Sequence, residues 1–135
     1  MKPILSFIAI TALFVSFGCS QSQGNGKTVE GANITFREYE HDYGTMAFGA
    51  DGTYEFIFTN NGTEPLILST VRSSCGCTVP EWPKQPIAAG EEGKIKVSYN
   101  TKISGAFAKS ISVYTNALEG PIVLTIRGKV EEADS

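Results

Sequence analysis

The sequence contains few of the residues from which catalytic and metal sites are built. It has one histidine, three cysteines and one tryptophan in 135 residues. It also lacks a G-x-S-x-G elbow, an H-E-x-x-H pair and a glycine-rich phosphate loop. With a single histidine, the chain has one side chain suited to act as a base near neutral pH. We therefore predict that the protein is not an enzyme, and we assign no catalytic residues.

An excess of basic residues is also absent. The chain has 11 Lys and Arg against 14 Asp and Glu, for a net charge of -3, and the acidic residues are dispersed along the chain. A nucleic-acid-binding domain has a basic patch or stripe as its electrostatic footprint. The composition therefore excludes nucleic acid as a partner.

Long apolar runs are missing except at the start of the chain. Lys2 precedes an apolar run over residues 4–17, and Gly18 and Cys19 follow it. A membrane-spanning helix needs about 20 apolar residues. A shorter run behind a positive start is typical of a signal peptide, which we assign to residues 1–18.

The end of this segment resembles a bacterial lipobox. The sequence "SFGC" occupies residues 16–19, with Ser16 where the pattern usually has an aliphatic residue. The resemblance implies that Cys19 becomes the first mature residue and carries a lipid that holds the protein to a membrane. The alternative is plain secretion, with cleavage near Ser16 or Gly18 and a free thiol at Cys19. A lone exposed thiol is a liability in an oxidising compartment, which favours lipidation.

Residues 19–32 are predicted to form a flexible tether. The stretch "SQSQGNGKTVEGA" is rich in serine, glutamine and glycine and has almost nothing apolar to bury. No acidic residue directly follows Cys19. By resemblance to Gram-negative lipoproteins, this argues against retention in the inner membrane. We expect a lipid-anchored protein of the bacterial cell envelope, at the outer membrane.

Residues 33–131 show the period-two alternation of β-strands. In "TYEFIFTN", the aromatic residues Tyr54, Phe56 and Phe58 alternate with Glu55, Ile57 and Thr59. Similar runs are separated by turn signals such as "GADG", "NNGTEP" and "AAGEEG". No window has a sustained helical stripe. The pattern predicts an all-β fold, an immunoglobulin-like antiparallel β-sandwich of about seven strands. The predicted core is Phe56, Phe58, Leu66, Val97, Ile111 and Leu124.

Several segments of this domain resemble a known family. They are "HDYG" at 41–44, "FIFTNNGTEPLIL" at 56–68, "SSCGCTVPEWPKQPIAAGEEGKIKVSYNT" at 73–101 and "GAFAKSISVYTNA" at 105–117. Together they are similar to the domain of unknown function 1573, a family of small exported bacterial proteins, many of them lipoproteins. The resemblance implies an immunoglobulin-like sandwich related to major-sperm-protein domains. It implies no established activity.

Cys75 and Cys77 lie on either side of Gly76, and their spacing is open to several interpretations. Residues two apart in a straight strand have Cα atoms roughly 6.5–7 Å apart, at the upper limit for a disulfide. Glycine can take a positive φ and bring the two sulfurs together. A disulfide across so short a loop adds little stability. The pair is interpreted as a structural turn or local disulfide, as a redox-responsive pair, or as a soft-metal site.

The metal interpretation is limited by the number of donors. A closed zinc site needs four ligands, whereas the chain offers Cys75, Cys77 and His41 as its soft or borderline donors. Two thiolates suit Cu(I), with His41 as a third ligand. We predict no resident cofactor and keep Cu(I) as the alternative.

Two functional hypotheses follow from these observations. The first is a lipid-anchored binding module that presents an edge strand or loops to an envelope protein. The second is a Cu(I)- or thiol-redox-handling protein built on Cys75 and Cys77. Trp82, between Pro80 and Pro83, is predicted to cap one end of the sandwich.

Overall fold

The computed structural model describes Gly18 and residues 30–134. Eight β-strands and no helix occur in these described residues. The strands are β1 (Thr35–Phe36), β2 (Glu40–Met46), β3 (Thr53–Thr59), β4 (Leu68–Ser73), β5 (Thr78–Glu81), β6 (Glu92–Tyr99), β7 (Gly105–Thr115) and β8 (Ile122–Val130). The predicted signal peptide, apart from Gly18, and residues 19–29 of the predicted tether lie outside the described residues.

The strands form two four-stranded sheets. One sheet has the order β1-β3-β6-β5, and the other has the order β2-β8-β7-β4. All pairs are antiparallel except β2 and β8, which are parallel. The predicted all-β sandwich is thus confirmed, with eight strands where about seven were expected. Alternation of polar and apolar residues is the same in both kinds of ladder, so the sequence did not reveal the parallel pair.

Side chains from the inner faces of the two sheets make the core. All six predicted core residues are buried, with at most 1% of their surface exposed. The alternation in β3 puts Phe56 and Phe58 inward, and β6 does the same with Ile95 and Val97. Ile111, Val113, Leu124 and Ile126 meet them from the second sheet. Burial of this apolar surface, at about 25 cal/mol per Å², is the main term that holds the sheets together.

One asparagine anchors the loop between β3 and β4. The side chain of Asn60 is fully buried, and its amide nitrogen donates to the carbonyl oxygens of Glu64 (2.8 Å) and Ile87 (2.9 Å). Its Oδ1 atom accepts from the backbone N–H of Gly62 at 3.1 Å. A buried amide is tolerated when its hydrogen-bonding groups are paired. Asn60 therefore fixes the loop that leads into β4.

Candidate functional site

Cys75 and Cys77 lie where the chain passes from one sheet to the other. β4 ends at Ser73 on the edge of the second sheet, and β5 begins at Thr78 on the edge of the first. Residues 74–77 make the connection as a bend and a turn. We call residues 73–78 the corner. It joins two strands that each have one unpaired side.

The two cysteines of the corner are joined by a disulfide bond. Their Cα atoms are 5.3 Å apart, closer than in a straight strand and within the range that a disulfide requires. Gly76 is not among the glycines with positive φ. The expected use of a left-handed glycine is therefore wrong, because the bend and turn bring the Cα atoms together without it.

Hydrogen bonds hold the corner in place. The hydroxyl of Ser73 shares its proton between the carbonyl oxygens of Cys75 (2.5 Å) and Thr78 (2.7 Å). The backbone N–H of Cys77 donates to the Sγ atom of Cys75 at 3.3 Å, and Thr78 Oγ1 lies 4.0 Å from Cys77 Sγ. The two sulfurs differ in their packing, since Cys77 packs against the hydrophobic core.

The segment after β5 carries Trp82. Its ring is half-buried and packs against the core, as predicted for a cap on the sandwich. The ammonium Nζ atom of Lys84 lies 2.9 Å from the ring centre, in a cation–π contact. The indole Nε1 atom is buried without a hydrogen-bond partner in the described part of the chain. Pro80 lies within β5 and not in the loop.

His41 lies in an aromatic cluster between the sheets. Its ring stacks on that of Tyr54 with centroids 3.5 Å apart and meets the edge of Tyr43 at 4.6 Å. The hydroxyl of Tyr54 donates to the carboxylate of Glu38, which together with partial burial raises the pKa of Tyr54 to about 12. Burial, more than the charge of Asp51, raises the pKa of Tyr43 to about 12. Tyr43 also donates to the carbonyl oxygen of Gly52 at 2.8 Å.

The structure does not bring His41 together with the two cysteines into a metal-binding group. Within the residues it describes, no three His, Cys, Asp or Glu side chains are arranged to hold a metal ion. Both cysteine sulfurs are bonded to each other. A Cu(I) site on this pair would therefore require the disulfide to be reduced first, because the thiolate is the form that binds metals.

The outer edge of β4 presents backbone groups to which a further strand could bond. Ser74 donates its N–H to the carbonyl oxygen of Ser110, which fixes residues 74 and 110 as a hydrogen-bonded pair of the β4–β7 ladder. Such pairs alternate along an antiparallel ladder. Val71 and Ser73 therefore turn their N–H and C=O groups away from β7, towards the open side. The sequence pattern did not identify this edge.

β5 has a far less receptive outer edge. Asn100 donates its N–H to the carbonyl oxygen of Cys77, so that Thr78 and Pro80 are the residues whose backbone groups point outward. Pro80 has no N–H to offer, and the outward carbonyl of Thr78 already accepts from Ser73. Proline at an edge strand is a common device against unwanted pairing.

The remaining two edges are short or irregular. β1 has two residues. β2 is interrupted by a register shift between Asp42 and Thr45, where Gly44 has a φ of 67°. The charged groups Glu40 and Asp42 on β2 pair with Arg127 at 2.9 and 3.3 Å. The register of β4 also shifts, between Leu68 and Thr70, but its pairing with β7 is regular from Thr70 to Ser73. Among the described strands, β4 is thus the edge best suited to accept a partner strand.

A comparison with protein families shows to which family the chain belongs. The family described as protein of unknown function (DUF1573) matches residues 34–130. The chain belongs to this family. The match spans the whole sandwich from before β1 to the end of β8, and it confirms the resemblance seen in the sequence. No curated protein sequence matches the chain at a significant level.

Solved structures similar to this chain share its fold at low sequence identity. A protein of unknown function from Porphyromonas gingivalis W83 has a TM-score of 0.63 at 14% identity, covering 73% of this chain and 46% of that one. The PapD-like domain 7 of human CEP192 has a TM-score of 0.63 at 12% identity, covering 98% and 100%. The CsuC-CsuE chaperone–tip adhesion subunit complex of Acinetobacter baumannii gives 0.54 at 9% identity, covering 74% and 58%. This chain thus spans less than half of the Porphyromonas protein, and the fold is PapD-like.

No helix in the described residues has both the length and the apolar character to cross a membrane. The predicted lipid attachment site, Cys19, lies outside the described residues. Its lipidation stays a prediction.

Proposed function

We propose that this chain is a lipid-anchored binding module of the bacterial cell envelope, without enzymatic activity, that binds an extended segment of an envelope protein along β4. The observation that carries the proposal is the open edge of β4, where Val71 and Ser73 direct their backbone groups away from the sheet. Strand addition to such an edge gains main-chain hydrogen bonds, and neighbouring side chains give specificity.

The surroundings of β4 support the same interaction. Ile67 comes directly before β4 and exposes 46% of its surface, which offers an apolar contact at one end of the edge. Ser69 and Arg72 are exposed on the strand itself. At the other end, β4 stops at the corner, and the chain continues into β5, whose outer edge is poorly suited to pairing. A partner strand would therefore have one defined track, the regular part of β4 from Thr70 to Ser73.

The fold is compatible with this role. The similar structure from Acinetobacter baumannii is a complex of a chaperone with a tip adhesion subunit, so a sandwich of this kind can take part in binding another protein. The proposed lipid on Cys19 would hold the module to the membrane, because each buried CH₂ group of a lipid chain adds about 0.8 kcal/mol of membrane affinity. The outer membrane is the proposed location because no acidic residue directly follows Cys19.

Two variants at one position test the role of the β4 edge. Val71→Pro removes an outward N–H of the open edge, whereas Val71→Ala keeps that N–H and truncates the same buried side chain. Affinity capture from envelope extracts should recover the same partner with the wild-type chain and Val71→Ala, and at least about tenfold less with Val71→Pro, the loss expected from one strand hydrogen bond and the disturbed edge. Unfolding midpoints of both variants serve as the control for stability. Equal recovery with all three chains, or recovery of no reproducible partner, would contradict the proposal.

The anchor is tested separately. Cys19→Ala should leave a soluble or uncleaved precursor, because a lipid and not a spanning helix holds the protein to the membrane. Membrane fractionation followed by mass determination measures this. A cleaved Cys19→Ala protein of wild-type size in the membrane fraction would rule out the lipoprotein assignment.

A further inference from the structure

The corner disulfide is placed where it contributes little to stability, as is typical of reactive disulfides and not of structural ones. It closes a loop between residues two apart, and the stabilisation that a disulfide gives grows with the length of the loop it closes. The two bonded cysteines lie outside the paired residues of β4 and β5, and of the two only Cys77 packs against the core. The stability that a disulfide gives to the fold equals the stability that the fold gives to the disulfide. A disulfide that stabilises the fold only slightly is therefore only slightly protected by the fold against reduction.

The bond is also within reach of solvent. Cys75 and Cys77 are each half-buried, and Ser74 and Gly76 beside them are exposed. Apart from its chain neighbours Cys75 and Cys77, no residue has an atom within 4 Å of a Cβ atom built on Gly76. An external thiolate therefore finds open space next to the disulfide, and access to the sulfur is one of the factors that govern the rate of thiol–disulfide exchange.

The two sulfurs have different surroundings, which assigns them different roles. Cys77 packs against the core, with the Thr78 hydroxyl 4.0 Å from its Sγ atom. Cys75 is not part of that packing, and its Sγ atom accepts the N–H of Cys77 at 3.3 Å. The outer sulfur, on Cys75, is the one open to attack. The inner sulfur, on Cys77, is the leaving group, with a hydroxyl beside it that can turn its proton to the departing thiolate.

We propose that Cys75–Cys77 is a thiol–disulfide exchange site that accepts electrons from an external dithiol. A thiolate of the dithiol attacks Cys75 Sγ, and the Cys75–Cys77 bond breaks with its electron pair on Cys77 Sγ, which takes a proton from solvent. The second thiolate of the dithiol then attacks its own partner sulfur in the mixed disulfide. Cys75 leaves as a thiolate and is protonated. The dithiol loses two electrons and two protons, and the cysteine pair gains both.

This activity does not depend on the proposed strand binding at β4, because the reacting atoms lie on the turn and not on the edge of the strand. A small dithiol can react without any bound partner. Failure of exchange would therefore leave the binding proposal intact, and loss of partner capture in Val71→Pro would leave the exchange proposal intact.

The first test measures how fast the bond is reduced in the full chain carrying Cys19→Ser. In this variant Cys75 and Cys77 are the two remaining cysteines. The oxidised protein is incubated with dithiothreitol under native conditions or in urea, quenched with acid, alkylated and weighed. We expect the native rate to lie within about tenfold of the rate in urea, and excess reduced glutathione to open the bond, whereas structural disulfides resist the glutathione pool. A native rate more than about a thousandfold slower, or a bond that stays oxidised in glutathione, would overturn the proposal.

The second test addresses the roles of the two sulfurs. In the Cys19→Ser background, Cys77→Ser leaves Cys75 as the only thiol, and Cys75→Ser leaves Cys77. We expect Cys75 to form a mixed disulfide with glutathione disulfide at least about tenfold faster than Cys77 does, as expected from its greater access. Equal rates, or faster reaction of Cys77, would overturn the assignment of Cys75 as the attacked sulfur. Near-equal unfolding midpoints of the two variants control for a difference in folding.

Discussion

Tyr43 shows how a single side chain links the fold to pH. Partial burial raises its pKa from 10.0 to about 12, so the folded protein favours the neutral phenol. A group with a raised pKa contributes stability that is complete below its unfolded pKa and is lost as the pH rises through its folded pKa. The free energy of unfolding should therefore fall over this alkaline window. Tyr54, whose pKa is also raised to about 12, contributes in the same direction.

Tyr43→Phe should make this alkaline loss of stability shallower. The variant removes the ionisable group and the 2.8 Å hydrogen bond to Gly52, so it should be less stable near neutral pH by about 1 kcal/mol. Between pH 10 and about 12, its free energy of unfolding should fall less than that of the wild type. Urea unfolding at a series of pH values measures both effects. An unchanged slope against pH would contradict the account of Tyr43.

Two glycines give a matched pair of predictions. A Cβ atom on Gly76 meets open space, whereas one on Gly93 would lie 2.4 Å from the Cζ atom of Phe58 inside the sandwich. Gly93→Ala should therefore destabilise the fold by about 1–3 kcal/mol through overpacking. Gly76→Ala should change stability by less than about 0.5 kcal/mol, as an exposed substitution, and should leave the disulfide intact. Thermal unfolding and thiol counting test the pair, and an equal loss in both variants would refute it.

At the scale of the elements, the corner and the core should contribute very differently to stability. Replacing both Cys75 and Cys77 by serine should cost under about 2 kcal/mol, because the closed loop is short and the remaining cost is that of hydroxyls in place of packed sulfur. Phe58→Ala should cost roughly 3–5 kcal/mol, because it empties a fully buried position. Chemical denaturation of the two variants gives the order. If the cysteine variant unfolds while Phe58→Ala keeps nearly the stability of the wild type, the disulfide is a structural clamp and this account is wrong.

The elements also show what the sequence could and could not predict. Phe56, Phe58 and Val97 were predicted as core because alternation with period two assigns side chains to faces without any knowledge of the partner strand. The openness of β4 could not be predicted, because an edge depends on which strands are neighbours across the whole sheet. The disulfide was one of several interpretations, and only the bend at residues 74–77 brings the Cα atoms of Cys75 and Cys77 to 5.3 Å.

At the scale of the whole molecule, the two sheets place β4 and β5 beside one corner and give them opposite characters. β5 is blunted by Pro80 and by the Ser73 bond to Thr78, whereas β4 keeps its outward groups. The core and the corner thus have separate roles, since one holds the fold and the other ends the open edge. In our proposal, the lipid on Cys19 positions this edge near the membrane.

The most direct test of the proposed function is crosslinking in intact cells from a photoreactive amino acid placed at Arg72, on the exposed side of β4. The matched control position is Glu55, an exposed residue of β3 in the middle of the other sheet. Our account predicts a discrete adduct with an envelope protein from position 72, its loss when Val71→Pro is added, and no such adduct from position 55. Equal adducts from both positions, or none from position 72, would contradict the assignment of β4 as the binding edge.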